Sequence, residues 1–349
     1  MATKDTSKRR PNNIKKSISR KNAKFTRPRG DQKKLKKPLI KTEPEPKKVA
    51  DPNMSFDFGI LYKMQHPYKG TDYERLYQDG RREYISQCEN FAQKFKKSKG
   101  GDFTWLQKVL QSGTFSDKVT ALVMLVQEGA FYALKWLQGL LKIASKNSRR
   151  ESQMAVDALK DAFLDYILED RKLKSFKQHS FQELKKSPQA AAKAFYEDSI
   201  RSMYIEYVRL LELKSRDPLE FLKTAMLDSM KTLLVKKPEQ EEFLLKSITN
   251  KLGDPEKKIG HYAIKCLIDV LKTHPSMAVI VMKEVKQIIF RPKIPIRAQF
   301  FCLHLITLMC ARIENPDFLK SCAEINFTLF RLTVKNALVN SKLMSSILK

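Results

Sequence analysis

The stretch Lys236-Lys237-Pro238-Glu239-Gln240-Glu241-Glu242-Phe243-Leu244-Leu245-Lys246-Ser247-Ile248-Thr249-Asn250-Lys251-Leu252-Gly253-Asp254-Pro255-Glu256-Lys257-Lys258-Ile259 reads as a helix, a tight corner and the start of a second helix. Pro238 suits a first helical turn, where its missing N–H costs no hydrogen bond. Phe243, Leu244, Ile248 and Leu252 then recur at helical spacing along one apolar face. Gly253 ends that helix. Asp254 offers a side-chain acceptor to the free amides of the next helix, Pro255 fixes its first dihedral, and Ile259, Ala263, Leu267 and Leu271 carry a new apolar stripe at intervals of four. Each helix has one greasy face, and the pair cannot bury both alone.

The same signature stands earlier at Asp217-Pro218, where Leu222, Met226 and Met230 keep the offsets that Ile259, Ala263 and Leu267 keep from Asp254; the two Asp-Pro pairs are 37 residues apart (254 − 217). That interval matches helical solenoids of the HEAT or armadillo kind, in which stacked helix pairs share one core. A generic helical bundle with two Asp-Pro caps is the competing reading. The expected fold is all-α: a HEAT/armadillo-like α-solenoid with a disordered basic N-terminal tail.

At 349 residues and 42% hydrophobic content the chain can bury a sizeable core. Its formal net charge of +29 is unevenly distributed: residues 1–50 hold 18 Lys and Arg against the four acids Asp5, Asp31, Glu43 and Glu45, a net +14. Such an arm seeks a polyanion, nucleic acid before membrane. Six prolines in residues 1–55, with almost no periodic apolar residues, leave nothing to offset the entropy of ordering, so this tail is expected to be disordered. Within it Lys8, Arg9 and Arg10, then Lys33, Lys34, Lys36 and Lys37, form clusters of the kind read by nuclear import receptors and able to hold phosphate; a merely solubilising tail is the bland alternative. Five scattered cysteines read as reduced thiols of a nuclear or cytosolic protein. No signal-peptide core and no run of 18 apolar residues occurs, which predicts a protein neither secreted nor membrane-spanning.

Three parts follow in order: the tail at 1–55, a sticky strap and long helix at 56–101, and a helical-repeat domain at 102–349. Periodicity predicts the long helix at 72–97, with Gly80 as a weak point and Gly100-Gly101 as its break. Helices are expected next around Trp105 to Leu110, after Ser116 as N-cap, at 131–144 and at 150–168, and then a loop at 177–188. In 189–213, Tyr196, Ile200, Met203, Tyr207 and Leu210 read as a core face, or as a short coiled-coil seam. Helices at 276–290, 295–313, 316–338 and from 341 onward complete the array. The last begins at Ser341 and stops without a polar terminal cap, which would leave an apolar face uncovered, so a truncated chain or a docking edge is expected there.

Catalytic constellations are absent by spacing. The five histidines are far apart, no His-Glu-x-x-His or Cys-x-x-Cys exists, and none of the eleven glycines forms a phosphate loop, so no enzyme, cofactor, metal or small-molecule substrate is expected. His261 and His304 read as hydrogen-bonded core histidines. Charge at the helix corners remains: Arg149, Arg150, Arg171, Lys172, Lys174, Lys236, Lys237, Lys257, Lys258, Arg291, Lys293 and Arg297. Stacked repeats would place such corners along one edge able to follow an RNA backbone, with ordinary solvated Lys-rich corners as the alternative. No aromatic-studded strand motif indicates sequence-specific single-strand readout.

Residues 112–128 (SGTFSDKVTALVMLVQE), 170–176 (DRKLKSF), 237–267 and 282–293 (MKEVKQIIFRPK) resemble the CCAAT-binding-factor family, in its CCAAT/enhancer-binding protein zeta and nucleolar complex protein one branch. The likeness covers about residues 102–349 in consistent order. It implies a non-enzymatic helical scaffold of the nucleus and nucleolus acting on early large-subunit (60S) precursors, with pre-ribosomal RNA and a second nucleolar complex protein, as a heterodimer, for partners and no membrane. The family's long C-terminal half would begin near Lys342. A DNA-associated transcription cofactor and a helical-repeat transport or scaffold adaptor are the alternatives.

Overall fold

The computed structural model describes residues 56–58, 61, 67–335 and 341–348, and every regular element among them is helical. The expected disordered tail, with its import clusters at Lys8, Arg9, Arg10 and Lys33, Lys34, Lys36, Lys37, lies outside the described residues. No described helix is long and apolar enough to cross a membrane.

The first half is assembled on two long helices. α1 (Glu74–Ser98) buries Tyr77, Tyr84, Ile85, Cys88 and Phe95, a stripe at steps of three, four and seven, and lies along α7 (Pro188–Lys214), whose Phe195, Ile200, Met203, Tyr204 and Tyr207 face the core. The face expected between Tyr196 and Leu210 is thus core, with the Tyr207 hydroxyl donating to the Val156 carbonyl at 2.9 Å. At Gly80 the two helices come so close that a Cβ built there would collide with the backbone oxygen of Ala191. Gly80→Ala is therefore expected to force the helices apart and cost about 2 kcal/mol, an overpacking effect readable as a lowered urea midpoint.

Between them run α2 (Gly100–Ser112), α3 (Phe115–Glu128), α4 (Leu134–Ala144), α5 (Arg149–Ala162) and the short α6 (Phe181–Lys186). Before α1, Phe56 packs tilted against Phe103 and edge-on to Trp136, with centroids 4.4 and 5.1 Å away, and Tyr68 packs on Tyr77 and Phe176. Several local expectations are corrected. Gly100 and Gly101 sit in the first turn of α2, and the break before it is the single residue Lys99. The cap of α3 is Thr114 rather than Ser116, because Asp117 completes a reciprocal box: each accepts a hydrogen bond from the other's backbone amide at 3.3 Å. Residues 177–188 hold α6, not a plain loop, and α5 ends in a π turn at Phe163–Ile167.

In the second half α8 (Glu220–Lys236), α10 (Lys257–Thr273) and α12 (Ile296–Cys310) lie side by side. α9 (Glu241–Asn250) packs on α8 and on α11 (Ala278–Ile289); α13 (Pro316–Lys335) and α14 (Ser341–Leu348) close on α12. The starts of α8, α10 and α12 are 37 and 39 residues apart, and those of α9, α11 and α13 are 37 and 38 apart. Asp217 and Asp254 head neighbouring helices in the same way, each side chain accepting from the amide two residues on: Leu219 N at 2.9 Å and Glu256 N at 3.0 Å. Asn315 repeats the bond toward the Asp317 amide at 3.0 Å, ahead of α13. Pro238, by contrast, stands outside α9. Gln240 takes a left-handed φ of 54° to turn the chain, and the helix starts at Glu241.

Candidate nucleic-acid interface

Successive helices run in opposite senses, so the corners fall into two groups. α8 is 17 residues long, about 25 Å at 1.5 Å per residue, which separates its Asp217 end from its Lys236-Lys237 end.

The first edge is formed by the starts of α5, α8, α10 and α12. Arg149 Nε reaches Asp217 Oδ2 at 3.1 Å, Lys258 Nζ reaches Glu220 at 3.1 Å, and Arg297 donates to the Asp254 carbonyl at 3.3 Å. Arg291 donates to the Asn250 side chain at 3.2 Å. Beneath this rim Lys223 Nζ is clamped by Asp254 at 3.1 Å and Glu256 at 3.0 Å, with its side chain only 8% exposed. Burial pulls the Lys223 pKa down, but the two carboxylates outweigh it and hold the group above its ordinary value. The Leu219 amide, with Arg149 behind it, keeps the Asp217 carboxyl below the usual range.

The second edge is where residues 168–176 cross between α7 and the α8–α9 corner. Arg171 binds Glu169 at 2.7 Å and Glu197 at 2.5 Å, Lys172 binds Glu241 at 3.0 Å, and Lys237 donates to the Leu168 carbonyl at 2.6 Å and to Asp170 at 2.9 Å. The Lys174 amide donates to Glu197, the Leu173 amide to the buried Glu239 and the Phe176 amide to Asp198. Burial would raise the Glu197 carboxyl, yet Arg171 and the Lys174 amide reverse this and leave it lowered. At Asp198 burial prevails over the Tyr68 and Phe176 bonds, and the carboxyl is raised.

The twelve candidate cations are therefore not one row. Arg149, Arg150, Lys257, Lys258, Arg291, Lys293 and Arg297 share the first edge; Arg171, Lys172, Lys174, Lys236 and Lys237 belong to the second. The edges also differ in how much charge is spent inside the protein. Among the described residues Arg150, Lys257 and Lys293 have no ion-pair or hydrogen-bond partner, and Arg291 and Arg297 bond neutral oxygens, so five of seven cations on the first edge keep their charge uncompensated. On the second edge Arg171, Lys172 and Lys237 are matched by carboxylates, leaving Lys174 and Lys236. A polyanion gains most where no internal carboxylate must first be displaced.

Reading the sequence missed Lys223, which is fixed by residues 31 and 33 positions away, and the exposed apolar group Leu213, Leu219 and Phe221 at the α7–α8 corner. Phe221 stands off the Leu222, Met226, Met230 stripe, and that was the available signal.

No three His, Cys, Asp or Glu side chains among the described residues are grouped to hold a metal. His261 is exposed, its ring edge-on to Phe301 at 4.9 Å, and His304 stacks on Phe300; neither is the hydrogen-bonded core histidine expected. All five cysteines are free thiols, and burial pushes Cys88, Cys266 and Cys302 up to about 12, far from a nucleophile's range.

No family model matches the chain. Over 275 residues, 76% of this chain and 26% of the relative, it is 31% identical to CCAAT/enhancer-binding protein zeta of Mus musculus. It is 29% identical over 268 residues to Nucleolar complex protein 1 of Drosophila melanogaster, covering 73% and 22% of the two chains, and 29% identical over 258 residues to Ribosome biogenesis protein NOC1 of Chaetomium thermophilum, covering 68% and 25%. The chain thus spans about a quarter of the length of the curated relatives it matches.

Proposed function

We propose, for a chain that belongs to the family of CCAAT/enhancer-binding protein zeta and nucleolar complex protein 1, a part in ribosome biogenesis as a non-enzymatic scaffold of the nucleolus. In this reading the helix pairs from α8 to α13 are units of a HEAT/armadillo-like α-solenoid, supported by their starts recurring every 37 to 39 residues and by the matched Asp217 and Asp254 turns. The scaffold holds pre-ribosomal RNA of early large-subunit precursors by phosphate contact, beside a second nucleolar complex protein.

The observation that carries the RNA part is the uncompensated charge on the first edge, where Arg150, Lys257, Lys293, Arg291 and Arg297 face outward from successive helix corners. Helix starts add the positive end of their dipoles to the same rim.

Crosslinking and affinity purification of the full chain test the reading together. Pre-ribosomal RNA reads and a co-purifying nucleolar complex protein are the expected result. The name of the mouse relative favours a second reading, a DNA-associated transcription cofactor; reads on promoter DNA with none on ribosomal precursors would establish it and remove the first. Neither kind of read would leave a protein adaptor.

A further inference from the structure

At the corner between α7 and α8, Leu213, Leu219 and Phe221 are 61%, 47% and 72% exposed, although large apolar side chains elsewhere on these helices are mostly buried. Phe221 is the second residue of α8, five residues ahead of the buried Met226, and its ring has no aromatic or cationic partner among the described residues. The corner is bracketed by cations on both sides. Arg149 binds Asp217 just before it, and Lys258 binds Glu220, the residue next to Phe221; their sequence neighbours Arg150 and Lys257 have no ion-pair partner among the described residues. An exposed aromatic ring at a corner tied by Asp217 to the start of α5 and by Glu220 to the start of α10, on an edge whose Arg150 and Lys257 keep their charge, offers the two features that single-stranded nucleic acid needs, a π face and nearby phosphate partners.

We infer that this corner is a stacking site for an unpaired base of single-stranded RNA, with Phe221 as the platform and the flanking phosphates held by Arg150 and Lys257. The inference rests on the first-edge reading above and deepens it, since phosphate contact alone would not distinguish paired from unpaired RNA. A duplex keeps its bases stacked inside and offers Phe221 nothing. An acidic amphipathic peptide would satisfy the cations, but the charge around the corner is spread along helix starts from α5 to α12, a run suited to a continuous backbone rather than to one short segment.

The test uses the full chain and the variant Phe221→Leu, which keeps an apolar side chain and the helix while removing the ring. Oligoadenylate is expected to bind the variant roughly tenfold more weakly, while an abasic oligomer of equal length and an RNA duplex bind both proteins alike and the salt slope stays the same. Equal oligoadenylate affinity for both proteins, or an equal loss with the abasic strand, overturns stacking while leaving phosphate contact intact. No RNA binding by the wild-type chain removes both readings. Tighter binding of oligodeoxyadenylate than of oligoadenylate overturns RNA as the strand, and ring-dependent binding of an acidic amphipathic peptide, with RNA insensitive to the substitution, assigns the corner to a protein instead.

Discussion

Lys223→Ala is expected to lower stability by about 3 kcal/mol, because it breaks a buried ion pair by removing one partner and leaves a carboxylate behind. Asp254 is 6% exposed at its side chain and faces Lys223 at 3.1 Å; its other cation, Lys251, is more distant at 3.7 Å. Lys251 moderates the loss, and Glu256, 36% exposed, can turn to water, which places the expected cost at the lower end of the range for broken buried pairs. Lys223→Met separates charge from packing: it keeps an unbranched apolar side chain in the buried position yet leaves Asp254 without its nearer cation, so most of the loss should persist. Adding Asp254→Asn, which keeps the acceptor for the Glu256 amide, should recover part of it. The pH dependence has a definite sign. With the Lys223 pKa raised in the folded state, its contribution is complete below the unfolded value near 10.4 and fades as pH rises through the folded value, so wild type and variant should converge in strongly alkaline buffer. Urea midpoints at neutral and alkaline pH decide it, and equal midpoints at neutral pH would mean that the clamp contributes nothing.

That clamp also marks the limit of what residue patterns reveal. The helices themselves follow from local physics: apolar stripes at 3.6-residue spacing placed α7 through α13, and two Asp-Pro pairs located the starts of α8 and α10 because the Asp side chain closes its turn within two residues. Errors arose where a local choice was settled by one extra bond or dihedral. Ser116 and Thr114 are equally good caps in isolation, and the reciprocal bond of Asp117 selects Thr114. Pro238 suits a first turn by its fixed φ, but Gln240 turns left-handed after it and moves the start of α9 to Glu241. Residues 168–176 lack periodicity because backbone amides given to Glu197, Asp198 and Glu239 hold them, with Phe176 as the buried anchor; such bonds connect residues 22 to 66 positions apart and leave no periodic trace. The candidate cations were visible one by one, as charged residues at helix ends. Their division into two edges depends on which end of each helix faces which way, and their availability depends on distant carboxylates such as Glu197 and Glu241.

Availability is what separates the two edges in binding. Replacing Arg150, Lys257 and Lys293 together by Gln is expected to weaken RNA binding on the order of a hundredfold at low salt, taking about 1 kcal/mol for each phosphate contact in water. The slope of log affinity against log salt should fall by about 2, at roughly 0.7 for each contact with a single strand. These three side chains have no ion-pair partner among the described residues, so the fold should be untouched and the thermal midpoint unchanged. Lys174→Gln with Lys236→Gln on the second edge is the matched control and should change neither affinity nor slope by more than a fraction of this. Arg171, Lys172 and Lys237 are unsuitable for the comparison: removing any of them frees Glu197, Glu241 or Asp170, and a weakened affinity could then come from a loosened loop or from new negative charge near the strand. A first-edge triple variant that binds RNA with the wild-type salt slope would exclude that edge. If the second-edge pair carried the loss instead, the strand would lie along Lys174 and Lys236; any further contact by Arg171 would require its pair with Glu197 to open, and the affinity would then strengthen as the solution is acidified toward the titration of the lowered Glu197 carboxyl.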